Sequence, residues 1–157
     1  MNEIFQAKVL LTLYKNLQGA IRENEKKVLK CAGRGFYTHG ADDTMKLYEK
    51  IIEMNSEKIK LLNLKVLIDK ALHLMLKEDV RFIVLRFFKG MKFIDIGNVF
   101  NVSLRQVFRL YDRATESFKN QLRYLKYTPE RIEEEFGDIP LYRETAFRLS
   151  NKYGILD

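Results

Sequence analysis

The chain has little that would cross-link it, anchor it or interrupt a helix. Its single cysteine, Cys31, rules out an intrachain disulfide, and no neighbouring His or Cys cluster marks it as a ligand or nucleophile. No uninterrupted apolar span reaches membrane length, and the opening Met1-Asn2-Glu3 is not a charged-then-apolar leader. A cytoplasmic protein with no membrane partner is therefore expected. There is no phosphate loop, no metal-ligand spacing and no nucleophile–base arrangement, so no enzyme, cofactor or metal is expected. His39 beside Asp42 and Asp43 falls short of the three or four converging ligands that a zinc or iron site needs.

What is present is enough apolar material for an ordinary core, 46% of 157 residues, and a net charge of +7. The charge is unevenly spread. Residues 1–78 carry 14 Lys/Arg against 10 Asp/Glu, residues 79–127 carry 10 against 4, and residues 128–157 carry 4 against 7. The positive density is thus highest in the middle, which favours a polyanionic partner for that region.

From Glu3 to about Cys31 there is no proline and one glycine, Gly19, while Leu10, Leu13, Leu17, Ile21, Asn24 and Val28 recur at spacings of three and four. This predicts a long amphipathic helix. Three glycines in Gly33–Gly40 turn the chain, Asp42-Asp43-Thr44 forms an N-cap cluster, and Tyr48, Ile52, Asn55, Ile59, Leu62 and Val66 continue the spacing before the stripe shifts to Ile68, Leu72 and Met75. Two long helices joined by one loop predict an antiparallel hairpin. Asn24 and Asn55 fall on these stripes at similar distances from the turn, either paired across the seam or solvated at its edge. Asp69 and His73 form an i,i+4 pair expected on the surface. A third helix is expected from Val80 to Phe88, capped by Lys77-Glu78-Asp79 and ended by Lys89-Gly90.

The segment from Phe93 onward satisfies the steric demands of a helix-turn-helix. Gly97 supplies the small residue that two steeply crossing helices need, at a position where glycine otherwise costs about 1 kcal/mol relative to alanine. Four positions later Asn101 tolerates the positive φ of the turn. Ile96, Val99 or Phe100, Val102, Val107 and Leu110 supply apolar contacts, and Ser103 caps the second helix. At 100° per residue, Val107, Leu110, Ala114, Phe118 and Leu122 share one face, and Arg105, Arg109 and Arg113 lie nearly opposite. Arginines at such spacing beside Ser103 and Gln106 are side chains suited to phosphates and base edges in a major groove.

Leu85-Arg86-Phe87 followed by Gly90, together with Ile96-Gly97, Phe100, Val102-Ser103, Val107 and Ala114, resembles the −35-reading helix-turn-helix domain of housekeeping sigma factors, over less than a third of the chain. That family has an arginine-glutamate-arginine run after the capping residue. Here Leu104-Arg105-Gln106 stands in its place, and Phe108 where the family has a further arginine, so the resemblance implies a different operator. With the preceding hairpin and the total length, the architecture is similar to phage late-gene regulators of the ArpU and RinA class. This second resemblance implies control of a phage or mobile-element promoter, with RNA polymerase as a candidate contact.

The expected fold is all-α: a hairpin over residues 1–77 used for assembly, a sigma region-four-like helix-turn-helix domain over 78–127, and an acidic helical extension over 128–157. The expected function is transcription regulation by sequence-specific binding of double-stranded DNA through Ser103, Leu104, Arg105, Gln106, Phe108, Arg109 and Arg113. The competing expectation is a helical adaptor that binds RNA polymerase or another protein without reading DNA. A homodimer is expected from doubled half-sites, with Leu11, Ile51, Leu61 and Leu64 as its apolar surface. In the tail, Thr128 caps a short helix with Pro129 at its first position and Gly137 at its end, and Pro140 opens another. Tyr142, Ala146, Leu149 and Tyr153 stripe that last helix, which should dock on the hairpin or on a second subunit.

Overall fold

Nothing between Glu3 and Arg34 breaks the helical hydrogen-bond ladder, and in the computed structural model this stretch is one helix, α1 (Glu3–Arg34). The structure describes residues 1–34 and 41–153. Among them the order is α1, α2 (Ala41–His73), α3 (Lys77–Ile83) running into a π-helical turn (Val84–Phe88), α4 (Phe93–Phe100), α5 (Leu104–Tyr124), α6 (Pro129–Phe136) and α7 (Pro140–Tyr153), with no strand. The fold is all-α, and no described helix is long and apolar enough to cross a membrane. His39 and most of the predicted Gly33–Gly40 turn lie outside the described residues. Helix α2 already begins at Ala41, so Asp43 and Thr44 sit in its first turn and do not precede it as a cap.

Helices α1 and α2 form the antiparallel hairpin. Tyr14 donates to Asp69 near the end of α2, whereas Asn24 donates to Glu57 at 3.5 Å and Glu25 pairs with Lys58 at 3.0 Å nearer its middle, so the start of α1 lies beside the end of α2. Asp69 is held by Tyr14 and by Lys65 at 2.9 Å; His73, its expected partner, is not among its contacts. Burial and the Asp69 carboxylate push the Tyr14 hydroxyl up to about 12.

The α1 stripe is buried from Leu10 to Asn24 and half-buried at Val28, but the α2 stripe is exposed. Tyr48, Ile52, Asn55, Ile59, Leu62 and Val66 are exposed, and α2 meets α1 through its other side, where Leu61, Leu64, Leu67, Ile68 and Ala71 are buried. Asn24 and Asn55 are therefore not paired. The expected dimer surface is corrected too, because Leu11 and Leu64 are fully buried, Leu61 is nearly so and Ile51 is half-buried. The physical reason lies in the first half of α1. Phe5, Ala7, Val9, Leu10, Leu11 and Leu13 are apolar on nearly every side, and a helix of that kind is stable only when surrounded.

Besides α2, four elements surround it. Tyr14 stacks on Phe88 at 4.6 Å, Lys8 lies over the Tyr111 ring of α5, Glu3 pairs with Arg123 of α5, and Gln6 contacts α6 and α7. The π turn serves this packing by adding a residue to the helix, with Lys89 N–H reaching back to the Val84 carbonyl at 2.9 Å. The consecutive side chains Phe87 and Phe88 then reach different helices, Tyr111 of α5 and Tyr14 of α1.

The tail folds back on the hairpin. Thr128 Oγ1 accepts the Arg131 N–H, Pro129 opens α6 and Gly137 closes it, as the sequence predicts. Gln6, 2% exposed, donates from Nε2 to the Pro129 carbonyl at 3.2 Å and to the Tyr142 hydroxyl at 3.1 Å, and Tyr142 donates to Glu133. Burial first, then the Glu133 carboxylate, hold the Tyr142 hydroxyl protonated well above its usual range. Lys60 pairs with Asp138, tying α2 to the link between α6 and α7.

Candidate nucleic-acid interface

The middle of the chain joins two helices, α4 and α5, through a tight turn. At the end of α4, Asn101 takes the left-handed conformation with φ 55°, and the N–H groups of Asn101 and Val102 both reach the Gly97 carbonyl, the latter at 2.9 Å. Both bonds fall on one carbonyl, so the turn itself satisfies the Gly97 oxygen and closes the end of α4. A Cβ at Gly97 would lie 3.0 Å from the Val102 carbonyl oxygen and 3.2 Å from Val107 Cγ2, so the glycine marks the closest approach of turn and second helix.

Ser103 then starts α5 with a reciprocal cap. Its Oγ accepts the Gln106 N–H at 3.3 Å, and Gln106 Oε1 accepts the Ser103 N–H at 3.0 Å. Val107, Ala114, Thr115, Phe118 and Leu122 are buried and Leu110 is half-buried, which fixes the rotation of α5 about its axis. Leu104, Arg105, Phe108 and Arg109 consequently face solvent beside the helix N-terminus, where unpaired N–H groups favour negative charge.

The seven site residues read from the sequence do not share one role. Arg105 and Arg109 are exposed, and neither is ion-paired among the described residues. Arg113 differs: its Nε and Nη2 hold Asp79 Oδ1 at 2.9 and 2.8 Å, and its Nη2 lies 3.5 Å from Glu78. Asp79 is 4% exposed, so Arg113 neutralises a buried carboxylate and fastens α5 to α3. Its bond to Asp79 raises the guanidinium above its usual range. Asp79 is accordingly no cap for α3, whose N-cap Leu76 makes no side-chain bond. Gln106 is occupied by capping through its carbonyl oxygen, leaving its amide N–H groups facing out. Phe108 is partly a buttress, since its ring packs on Phe93 at 5.0 Å while Arg86 lies over the other ring at 4.1 Å.

Three cations that pattern reading passed over stand beside this unit. Arg81 lies 4.9 Å from the Phe100 ring centre, which brings it next to the turn, and Lys89 and Lys92 are exposed in the link leading into α4. Neither lysine falls on a helical stripe. Arg81 was hidden because its position depends on the crossing of α3 and α4.

Comparison with known protein families, with curated proteins and with solved structures found no match. The chemistry therefore rests on the residues themselves. Two guanidiniums one helical turn apart, unpaired among the described residues, a hydroxyl and an amide at a helix N-terminus, and exposed Leu104 form a cationic edge that offers forked donors to paired acceptors.

Proposed function

We propose that this chain is a sequence-specific transcription regulator, of phage or mobile-element type, that reads the major groove of double-stranded DNA with the first turns of α5. The observation that carries this reading is the pairing of a tightly closed helix-turn-helix, built on Gly97, Asn101 and Ser103, with Arg105 and Arg109 left unpaired on the exposed side of its second helix. Arg105, Gln106 and Leu104 are assigned to base edges and Arg109 to a mixture of base and phosphate contact. Arg113 is withdrawn from the reading set, because DNA would have to compete with Asp79 for it. Arg81, Lys89 and Lys92 are added as phosphate-facing residues. A cytoplasmic location and contact with RNA polymerase at a promoter accompany this role.

A protein-docking adaptor is the second reading, favoured by Ile94 and Val99, which α4 leaves 66% and 44% exposed. Selection of bound sites from a random duplex pool separates the two. The regulator reading expects an enriched sequence whose binding weakens steeply with salt, since each neutralised phosphate releases counterions. Absence of any enrichment at low salt would leave the adaptor.

A further inference from the structure

The face of α2 turned away from α1 carries a second apolar stripe. Met45, Tyr48, Ile52, Ile59, Leu62 and Val66 are between 39% and 65% exposed, and Asn55 occupies the one remaining position of the series. The spacings alternate three and four without a break, which is the heptad repeat of a coiled-coil seam. Met45, Ile52, Ile59 and Val66 fall in one seam position and Tyr48, Asn55 and Leu62 in the other. Three of the four first-position residues, Ile52, Ile59 and Val66, are β-branched, which with Leu62 in the second position leans toward two strands, and a polar residue in the seam specifies register at a cost in stability. Glu49, Ser56 and Asn63 flank the stripe and give it a polar edge.

We infer that this stripe is the interface of a homodimer, formed by α2 packing on α2 of a second copy as a two-stranded coiled coil. The intrachain hairpin does not use these residues, since α2 meets α1 through Leu61, Leu64 and Ile68 on its opposite side. Leu29 of α1, 72% exposed, borders the same groove as Asn55 and Lys58 and widens the face. From these fractions the stripe and Leu29 expose on the order of 800 Å² per copy, an upper limit to what a partner helix covers and of the size of the ~800 Å² per partner that a standard interface buries. A self-complementary stripe on one long helix suits an isologous two-fold contact, the commonest form of association. The inference stands apart from DNA reading, because it involves neither α4 nor α5.

Sedimentation equilibrium of the full chain across the micromolar range tests it, alongside two variants. The wild type is expected to be a dimer. The double variant Ile52→Lys/Ile59→Lys, altered only at exposed positions, is expected to be a monomer with an unchanged helical circular-dichroism spectrum. Asn55→Leu acts in the opposite direction and is expected to tighten the dimer at least about tenfold by removing the polar seam residue. A monomeric wild type at high micromolar concentration overturns the inference. A dimer whose dissociation constant is unmoved by Asn55→Leu also overturns it, whether or not the lysine variant folds, because the contact would then lie elsewhere. A foreign helix as the true occupant would appear as a monomeric wild type.

Discussion

Helices α2 and α5 carry apolar residues at the same three-four spacing, yet the two helices use it differently. In α5 one apolar face, Val107 to Leu122, is buried and the opposite face presents Arg105 and Arg109. In α2 one apolar face is buried on α1 and the opposite face is apolar as well. A periodic stripe therefore establishes that a helix has a face, while what covers that face depends on the neighbours. Where the opposite side is charged, only one orientation is stable. Where both sides are apolar, the sequence pattern leaves two orientations open, and tertiary packing selects between them.

Equal truncations on the two stripes break this comparison most strongly. Phe118→Ala, at a fully buried position of α5, is expected to lower stability by about 3–5 kcal/mol in urea unfolding, from lost transfer energy and the cavity left behind. Gly97→Val tests the same helix through its turn. The added side chain meets the Val102 carbonyl and Val107, so a loss of about 1–3 kcal/mol is expected, together with weaker DNA binding as α5 swings away from α4. Wild-type melting of that variant would place the turn elsewhere.

Arg113→Ala sharpens the assignment within α5. It strands the Asp79 carboxylate, but Arg113 is half-exposed and water reaches the pair, so the expected loss is about 1–2 kcal/mol. Sequence preference on DNA should be unaltered. A shifted base preference with unchanged stability would return Arg113 to the reading set. The smallest effect belongs to α2: Ile52→Ala should change the stability of the monomer by no more than about 0.5 kcal/mol, because its side chain gains little from the monomer fold. It should, however, reduce any dependence of melting temperature on protein concentration, which scanning calorimetry at several concentrations measures.

These expectations follow the boundary between what was legible in the chain and what was not. The tight turn between α4 and α5 was legible because its constraints are local: Gly97, Asn101 and Ser103 each meet a backbone requirement within a few residues. Thr128, Pro129, Gly137 and Pro140 were legible for the same reason. The outward rotation of α2 was not, since Tyr48, Ile52 and Ile59 on one side and Leu61, Leu64 and Ile68 on the other are equally apolar. Arg113 reads as part of a stripe from its spacing, and only the approach of α3 reveals that Asp79 claims it. The π turn at Val84–Phe88 and the positive φ of Lys126 at the end of α5 carry no residue-type signal at all. Gln6 did leave a trace, as a polar residue inside the most apolar run of α1, where burial demands hydrogen-bond partners.

The central claim is that the exposed edge of α5 reads DNA, and the affinity of Arg105→Ala/Arg109→Ala for a selected duplex tests it most directly. Base-edge contacts of this kind contribute about 1–3 kcal/mol each, so fluorescence anisotropy should show a loss of at least roughly tenfold in affinity. The melting temperature should stay the same, because neither side chain is ion-paired among the described residues. Unchanged affinity of the double variant for the selected site would contradict the account.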